Sequence, residues 1–274
     1  MSRHDGGKST ISYHASATRS EVRVAERVWD PASTPVAGLV IIHGGSSHSG
    51  WFGELGDLLS SPEHSIRVSA LDLPAHGLSD DVVPGLRTYV PDFAEHASDA
   101  SLAVTRAHAA LPSGVPVFLL GESMGGLIAL MALLDHADVR VDGLVLCGAL
   151  VVVAPGILPP RAMMPLIRLM AWLFPTIAAP GQDIGGDTFD AAFADPDAGA
   201  EARADPLVCE KAPARVGPGV GALTAMNRVV VEAAEKVKVE SVLMMHYKGD
   251  GRALCEPTKE LVDGLEHVDD KVCL

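Results

Sequence analysis

Val117-Phe-Leu-Leu-Gly121-Glu-Ser123-Met-Gly125-Gly-Leu127-Ile-Ala-Leu-Met-Ala-Leu-Leu134 decides the fold. Together with Pro116 before them, the first four residues form an apolar run, as expected of a strand buried on both faces. Leu127 to Leu134 are apolar all round, as expected of a helix buried in the centre of a domain. The G-x-S-x-G between them leaves only a few residues to reverse from strand to helix, and such a turn lifts a serine hydroxyl above the sheet. Glycine at 121 and 125 suits a turn too tight for flanking side chains. The helix also points its N-terminal dipole at the place where an oxyanion would form. The bare pattern matches often by chance. A strand before it and a buried helix after it make an incidental glycine turn the weaker reading.

Working outward, short apolar runs alternate with helix-like stretches, the rhythm of a parallel sheet with helices on both faces. Strands are expected at 38–42, 66–71, 143–147 and 241–246, with 23–29 as an N-terminal strand pairing antiparallel with its neighbour. Trp51 to Leu59 and Asp92 to Leu111 carry apolar residues at helical spacing. The second has Phe93, Ala97, Ala100, Val104, Ala107 and Leu111 on one stripe. From Val151 to about Val239 the rhythm changes. Pro159-Pro160 opens a helix on which Met163, Leu166, Ile167, Met170, Leu173 and Phe174 recur, with Leu169 and Trp172 on a second face. An acidic stretch follows from Gly181 to Asp205, with seven acids against one Arg, and reads as a solvated loop. An insertion between two strands is where a substrate-covering lid is spliced in. The helix fits ordinary packing and a lipid-facing lid about equally.

The 274 residues suit one larger α/β domain, and 48% hydrophobic residues exclude a disordered chain. With 21 Lys and Arg against 35 Asp and Glu, the net charge of −14 repels a phosphate backbone, so no nucleic-acid partner is expected. Four scattered cysteines without C-x-x-C spacing read as reduced thiols, and neither a metal nor a cofactor is implied. Met1 to Ser20 is a disordered tail by composition and lacks the apolar core of a secretory peptide. The expectation is a cytoplasmic protein, with Arg3, Lys8 and Arg19 leaving organelle transit as the alternative.

His43-Gly-Gly45-Ser-Ser-His48-Ser follows directly on the 38–42 strand. A glycine-rich loop there supplies one backbone N–H of an oxyanion hole and the residue after the serine supplies the other, which makes Gly45 and Met124 the donors. His43 and His48 lack a third neighbour for metal binding and read as loop-shaping residues. The chain resembles the α/β-hydrolase fold and, within it, the monoacylglycerol-lipase-like (lysophospholipase-like) serine hydrolases of plant and algal type. The resemblance rests on 43–51 (HGGSSHSGW), 71–79 (LDLPAHGLS) and 121–126 (GESMGG). It also rests on Phe174-Pro-Thr176, Asp205-Pro206 and 211–215 (KAPAR) in the insertion, and runs from about Val36 onward. It implies one domain over 21–274 with a helical lid at about 151–239, Ser123 as nucleophile, and the Gly45 and Met124 amides as oxyanion donors. Met245-His-Tyr-Lys-Gly-Asp250 matches the family phrase that ends in the triad acid, which implies Asp250, although Tyr247 replaces the usual Gly. Met163, Ile167, Met170 and Phe174 become the acyl-binding lid residues.

The same resemblance places the general-base histidine just past a final strand, and 269–274 is only the start of that strand. His267 would sit at the wrong end of the sheet, and no family match places His48 or His76 as the base. A truncated gene product or a misread gene end is therefore the expectation, with the strand at 241–246 left near an exposed edge. The implied activity is hydrolysis of monoacylglycerol or lysophospholipid-type esters, with transient membrane contact through the lid. The alternatives are an esterase for aromatic acyl esters, or a weak or inactive relative that binds apolar ligands.

Overall fold

The computed structural model describes residues 9–136, 138–183, 195–209 and 213–274. Its centre is an eight-stranded sheet in the order β1-β2-β4-β3-β5-β6-β9-β10. The strands are β1 (Thr10–Ala15), β2 (Arg23–Trp29), β3 (Ala37–Ile42), β4 (Ile66–Leu71), β5 (Val117–Glu122), β6 (Gly143–Cys147), β9 (Ser241–Met245) and β10 (Asp270–Cys273). From β4 to β10 every neighbouring pair is parallel, while β2 runs antiparallel to both β1 and β4. The buried runs predicted from sequence are these strands. All six residues of β3 are buried, as a strand covered on both faces requires.

Helices α1 (Gly53–Leu59), α2 (Phe93–Ala110) and α3 (Met124–Asp135) lie where the periodicity puts them. Asp92 caps α2 by accepting from Ala94 N at 2.9 Å, which satisfies one of the free amides of its first turn. Ten of the twelve residues of α3 are buried, so its all-round apolar sequence is a central helix. One core layer joins α2, α3 and the sheet through Ala100, Val104, Leu119, Leu127, Ile128 and Leu144. The other packs α1 beneath Trp29, Ile41 and Val68.

Two expectations change and one holds. Thr10–Ala15, read as part of a disordered tail, is the edge strand β1; its side chains are almost all exposed, so no apolar alternation marks it. Residues 1–8 lie outside the described residues. The strand at 241–246 lies near an edge as expected, one strand in: β10 pairs with it from Asp270↔Ser241 to Cys273↔Met244, and His246 N then donates to Leu274 O. The segment set aside as an insertion, 151–239, contains α4 (Met164–Leu173), β7 (Ala178–Asp183), α5 (Pro196–Ala204), β8 (Pro213–Arg215) and α6 (Val216–Lys236). Of these, α6 belongs to the body: Ala225, Met226, Val229 and Ala233 are core residues in the layer with α3. The other described residues of that segment stand outside the sheet, with β7 and β8 forming their own two-stranded ribbon. Much of the acidic stretch, 184–194, lies outside the described residues. A last helix, α7 (Cys255–Gly264), precedes β10.

Candidate active site

Ser123 sits between β5 and α3 at φ 50° and ψ −115°. A β-carbon disfavours that conformation, and it persists only where the surroundings enforce it. The enforcement is visible in the neighbours. A β-carbon on Gly125 would lie 2.0 Å from the Ile42 carbonyl oxygen, and one on Gly121 would lie 2.5 Å from the Gly125 carbonyl oxygen. The turn is therefore clamped backbone against backbone, on the end of β3. Ser123 N donates to Cys147 O at 2.9 Å and Ser123 O accepts from Leu150 N at 2.9 Å, which ties the turn to β6 and its exit. Among the described residues, no side chain hydrogen-bonds the Ser123 hydroxyl.

Met124 opens α3, so its N–H has no acceptor four residues back within the helix. Gly45 lies across from it: a β-carbon there would be 3.9 Å from Met124 Sδ. The sequence placed these two amides at one site, and the structure brings their residues together. Asp250 lies on the loop after β9, two strands along the same crest, since the sheet order runs β5-β6-β9. Its Oδ1 accepts from Arg252 N (2.8 Å) and Ala253 N (3.1 Å), while Oδ2 faces His246 Nε2 at 3.6 Å. The buried His246 donates from Nε2 to Ala253 O at 3.0 Å, so it braces the Asp250 turn. Ser123, Gly148 and His246 form one row, because Ser123 N bonds Cys147 O and Gly148 N bonds Met245 O.

The other histidines on this crest are occupied. His43 donates from Nδ1 to Gly44 O at 2.6 Å and accepts at Nε2 from Leu73 N at 3.0 Å. His48 accepts at Nδ1 from Gly50 N (3.1 Å) and donates from Nε2 to Asp205 Oδ2 (2.8 Å). His76 donates to Pro74 O at 3.0 Å. Sequence reasoning missed three features here. Asp205, in the segment outside the body, reaches the loop after β3 through His48, and both side chains are almost fully buried. Glu122, in the variable position of the elbow, accepts from Gly44 N at 2.6 Å. His43, His76 and His96 cluster in the interior, with ring centroids 5.2 and 6.5 Å apart, the first pair tilted and the second edge to face. Burial holds His43 down at about 4 and His96 at about 3, and puts His76 well below its usual value. His43 and His76 stand in the motif phrases, but nothing local pointed to His96 on α2.

The proposed acyl-binding residues lie on or beside α4, none of whose residues is buried. Ile167 and Met170 are half-covered, whereas Met163 and Phe174 are exposed, as are Leu166, Leu169, Trp172 and Leu173. Among the described residues, no group of three His, Cys, Asp or Glu is placed to hold a metal ion, and no helix is long and apolar enough to cross a membrane.

The strained serine between strand and buried helix, on a mostly parallel sheet, defines a protein of the α/β-hydrolase class. The chain belongs to the family described as serine aminopeptidase, S33, whose profile matches residues 33–274. Among curated proteins it is 30% identical over 230 residues to human monoglyceride lipase, covering 84% of this chain and 70% of that enzyme. It is also 30% identical over 200 residues to the monoacylglycerol lipase of Mycolicibacterium smegmatis, covering 73% of this chain and 66% of the relative. Among solved structures, a soluble variant of Saccharomyces cerevisiae monoglyceride lipase, in complex with a substrate analog, superposes with a TM-score of 0.79 at 18% identity. It covers 96% of this chain and 84% of that one. The monoacylglycerol lipase of Paleococcus ferrophilus gives a TM-score of 0.71 at 24% identity, covering 93% and 88%.

Proposed function

We propose that the chain is a serine hydrolase of carboxylic esters whose substrates are monoacylglycerols or lysophospholipids. The observation that carries this is the Ser123 backbone at φ 50°, a strain maintained by glycine packing on β3 that serves to present the hydroxyl above the sheet. The names of the relatives support the lipid-ester class. Ser123 Oγ attacks the acyl carbon and forms the C–O bond, while its proton passes to the general-base imidazole that the resemblance places just past the final strand, a group none of the described histidines supplies. The Gly45 and Met124 amides hold the resulting oxyanion, each worth about 2.7–4 kcal/mol in the transition state. The imidazole returns the proton to the departing alkoxide, leaving an acyl-enzyme that water clears by the same route. Asp250 orients the imidazole.

A second reading has its own support. None of the described histidines meets Ser123, and a serine without a base is a poor nucleophile. On that reading this polypeptide binds apolar esters and turns them over weakly, since loss of the base costs on the order of 10⁶ in kcat. The lid is then 151–215, and the exposed face of α4, where Trp172 is 77% and Leu166 59% accessible, touches a lipid surface. Four unpaired thiols suit a reducing compartment, the cytoplasm.

The test is labelling by a fluorophosphonate probe, followed by competition between monoolein, a lysophospholipid and a phenolic ester. Labelling that disappears in Ser123→Ala, with preference for the lipid esters, supports the first reading. Strong labelling of this polypeptide removes the second. Labelling that survives Ser123→Ala refutes the assignment of the nucleophile.

A further inference from the structure

Glu122 is the last residue of β5 and directly precedes Ser123, yet its carboxyl turns across to the neighbouring strand's loop. Oε2 accepts from Gly44 N at 2.6 Å, across 78 residues of sequence. The carboxyl lies against the Gly44 α-carbon: a β-carbon there would be 2.5 Å from Oε2 and 3.0 Å from both Oε1 and the carboxyl carbon. A side chain at position 44 would push this carboxyl off the amide it accepts from. On the other side, the Gly44 carbonyl accepts from His43 Nδ1 at 2.6 Å. The tautomer that makes this possible is set by Leu73 N donating to Nε2.

These two bonds act on successive peptide planes. The Gly44 N–H belongs to the 43–44 peptide, and the Gly44 C=O shares the 44–45 peptide with the Gly45 N–H. A peptide is planar and trans, so fixing one carbonyl direction fixes the amide on its far side. Gly44 is the pivot between the planes and, lacking a β-carbon, turns freely unless held. We propose that Glu122 is a positioning residue: by bonding the Gly44 amide it locks this pivot, and with it the direction of the Gly45 N–H toward the Ser123–Met124 step. This rests on the reading of Ser123, Gly45 and Met124 given above. The carboxyl does not touch the reacting atoms. It ties the two halves of the oxyanion hole, one on the loop after β3 and the other at the start of α3, into a single unit.

Glu122→Gln keeps an acceptor for the Gly44 amide, and Glu122→Ala removes it. In ¹⁵N-labelled protein the Gly44 amide is expected to resist hydrogen exchange in the parent and the Gln variant and to lose that protection in the Ala variant, with the Gly45 resonance moving as well. With p-nitrophenyl butyrate, Glu122→Ala is expected to lower kcat about 10–100-fold, less than outright loss of a donor. KM stays within about threefold because ground-state contacts are intact, and Glu122→Gln restores most of the rate. A role confined to folding predicts lower stability without a kcat-specific loss. The proposal is overturned if the Gly45 resonance and kcat are unmoved in Glu122→Ala, or if Glu122→Gln is as impaired as Glu122→Ala. Where the parent shows no turnover, the functional reading has failed and the Gly44 and Gly45 amides decide the positioning claim alone.

Discussion

Lowering the pH from 7 to 5 should strip this protein of much of its stability through the buried cluster of His43, His76 and His96. His43 and His96 are held at about 4 and about 3 in the folded chain because their rings are buried, against 6.5 when unfolded. The unfolded chain therefore binds more protons across that interval, and stability falls as the pH drops below about 6.5. With those values each ring withdraws about 2 kcal/mol at pH 5, about 4 kcal/mol for the pair, and His76 adds to it in the same direction. Domains of this kind hold roughly 5–15 kcal/mol in total, so the loss is large. Burial raises the Asp99 and Glu122 carboxyls, and these act with the opposite sign, since the folded chain keeps their protons longer. Substitution isolates one ring. Neither nitrogen of His96 reaches a hydrogen-bond partner, and the nearby Pro74 carbonyl takes its proton from His76, so His96→Leu leaves no buried group stranded. Urea unfolding at pH 7 and pH 5 is the assay. The variant should match the parent within about 1 kcal/mol at pH 7, and its loss on going to pH 5 should be about 2 kcal/mol smaller. A parent whose stability is flat over that range, or a variant with the parent's slope, refutes the reasoning.

Gly125→Ala would press a methyl group onto the Ile42 carbonyl and should cost about 3 kcal/mol. The contrasting change is Gly219→Ala on α6, where a β-carbon meets nothing within 4 Å, and it should gain about 0.5–1 kcal/mol. Thermal melts compare the two, and equal effects would contradict the close packing at the elbow. Trp172 is the most exposed of the large apolar side chains on α4, so its fluorescence should shift to the blue on mixing with phosphatidylcholine vesicles, and Trp172→Ala should weaken sedimentation with them. Net charge of −14 means that adding anionic lipid should not strengthen the association; an unmoved spectrum would remove the lipid-surface reading.

The strands of the parallel half were legible because burial on both faces writes a continuous apolar run, and the elbow because its glycines and its buried helix are local. What escaped the sequence depends on pairing between distant residues. β1 pairs with β2 but exposes Ile11 and Tyr13, so no alternation betrays it. α6 falls within the segment read as an insertion; Gly217, Pro218, Gly219 and Gly221 interrupt its first turns, and its core residues begin only at Ala225. The bonds Glu122–Gly44 and His48–Asp205 span 78 and 157 residues, and a glutamate or an aspartate on its own gives no sign of such a partner.

The His48–Asp205 contact carries a lesson for anyone recombining such proteins. A segment read as a lid invites treatment as an interchangeable module, cut at its two stems and traded for a relative's to alter substrate choice. Here that segment's own carboxylate is an interior fitting of the body. A graft lacking its equivalent would strand a buried imidazole in the loop after β3, and the damage would be misread as a change of specificity.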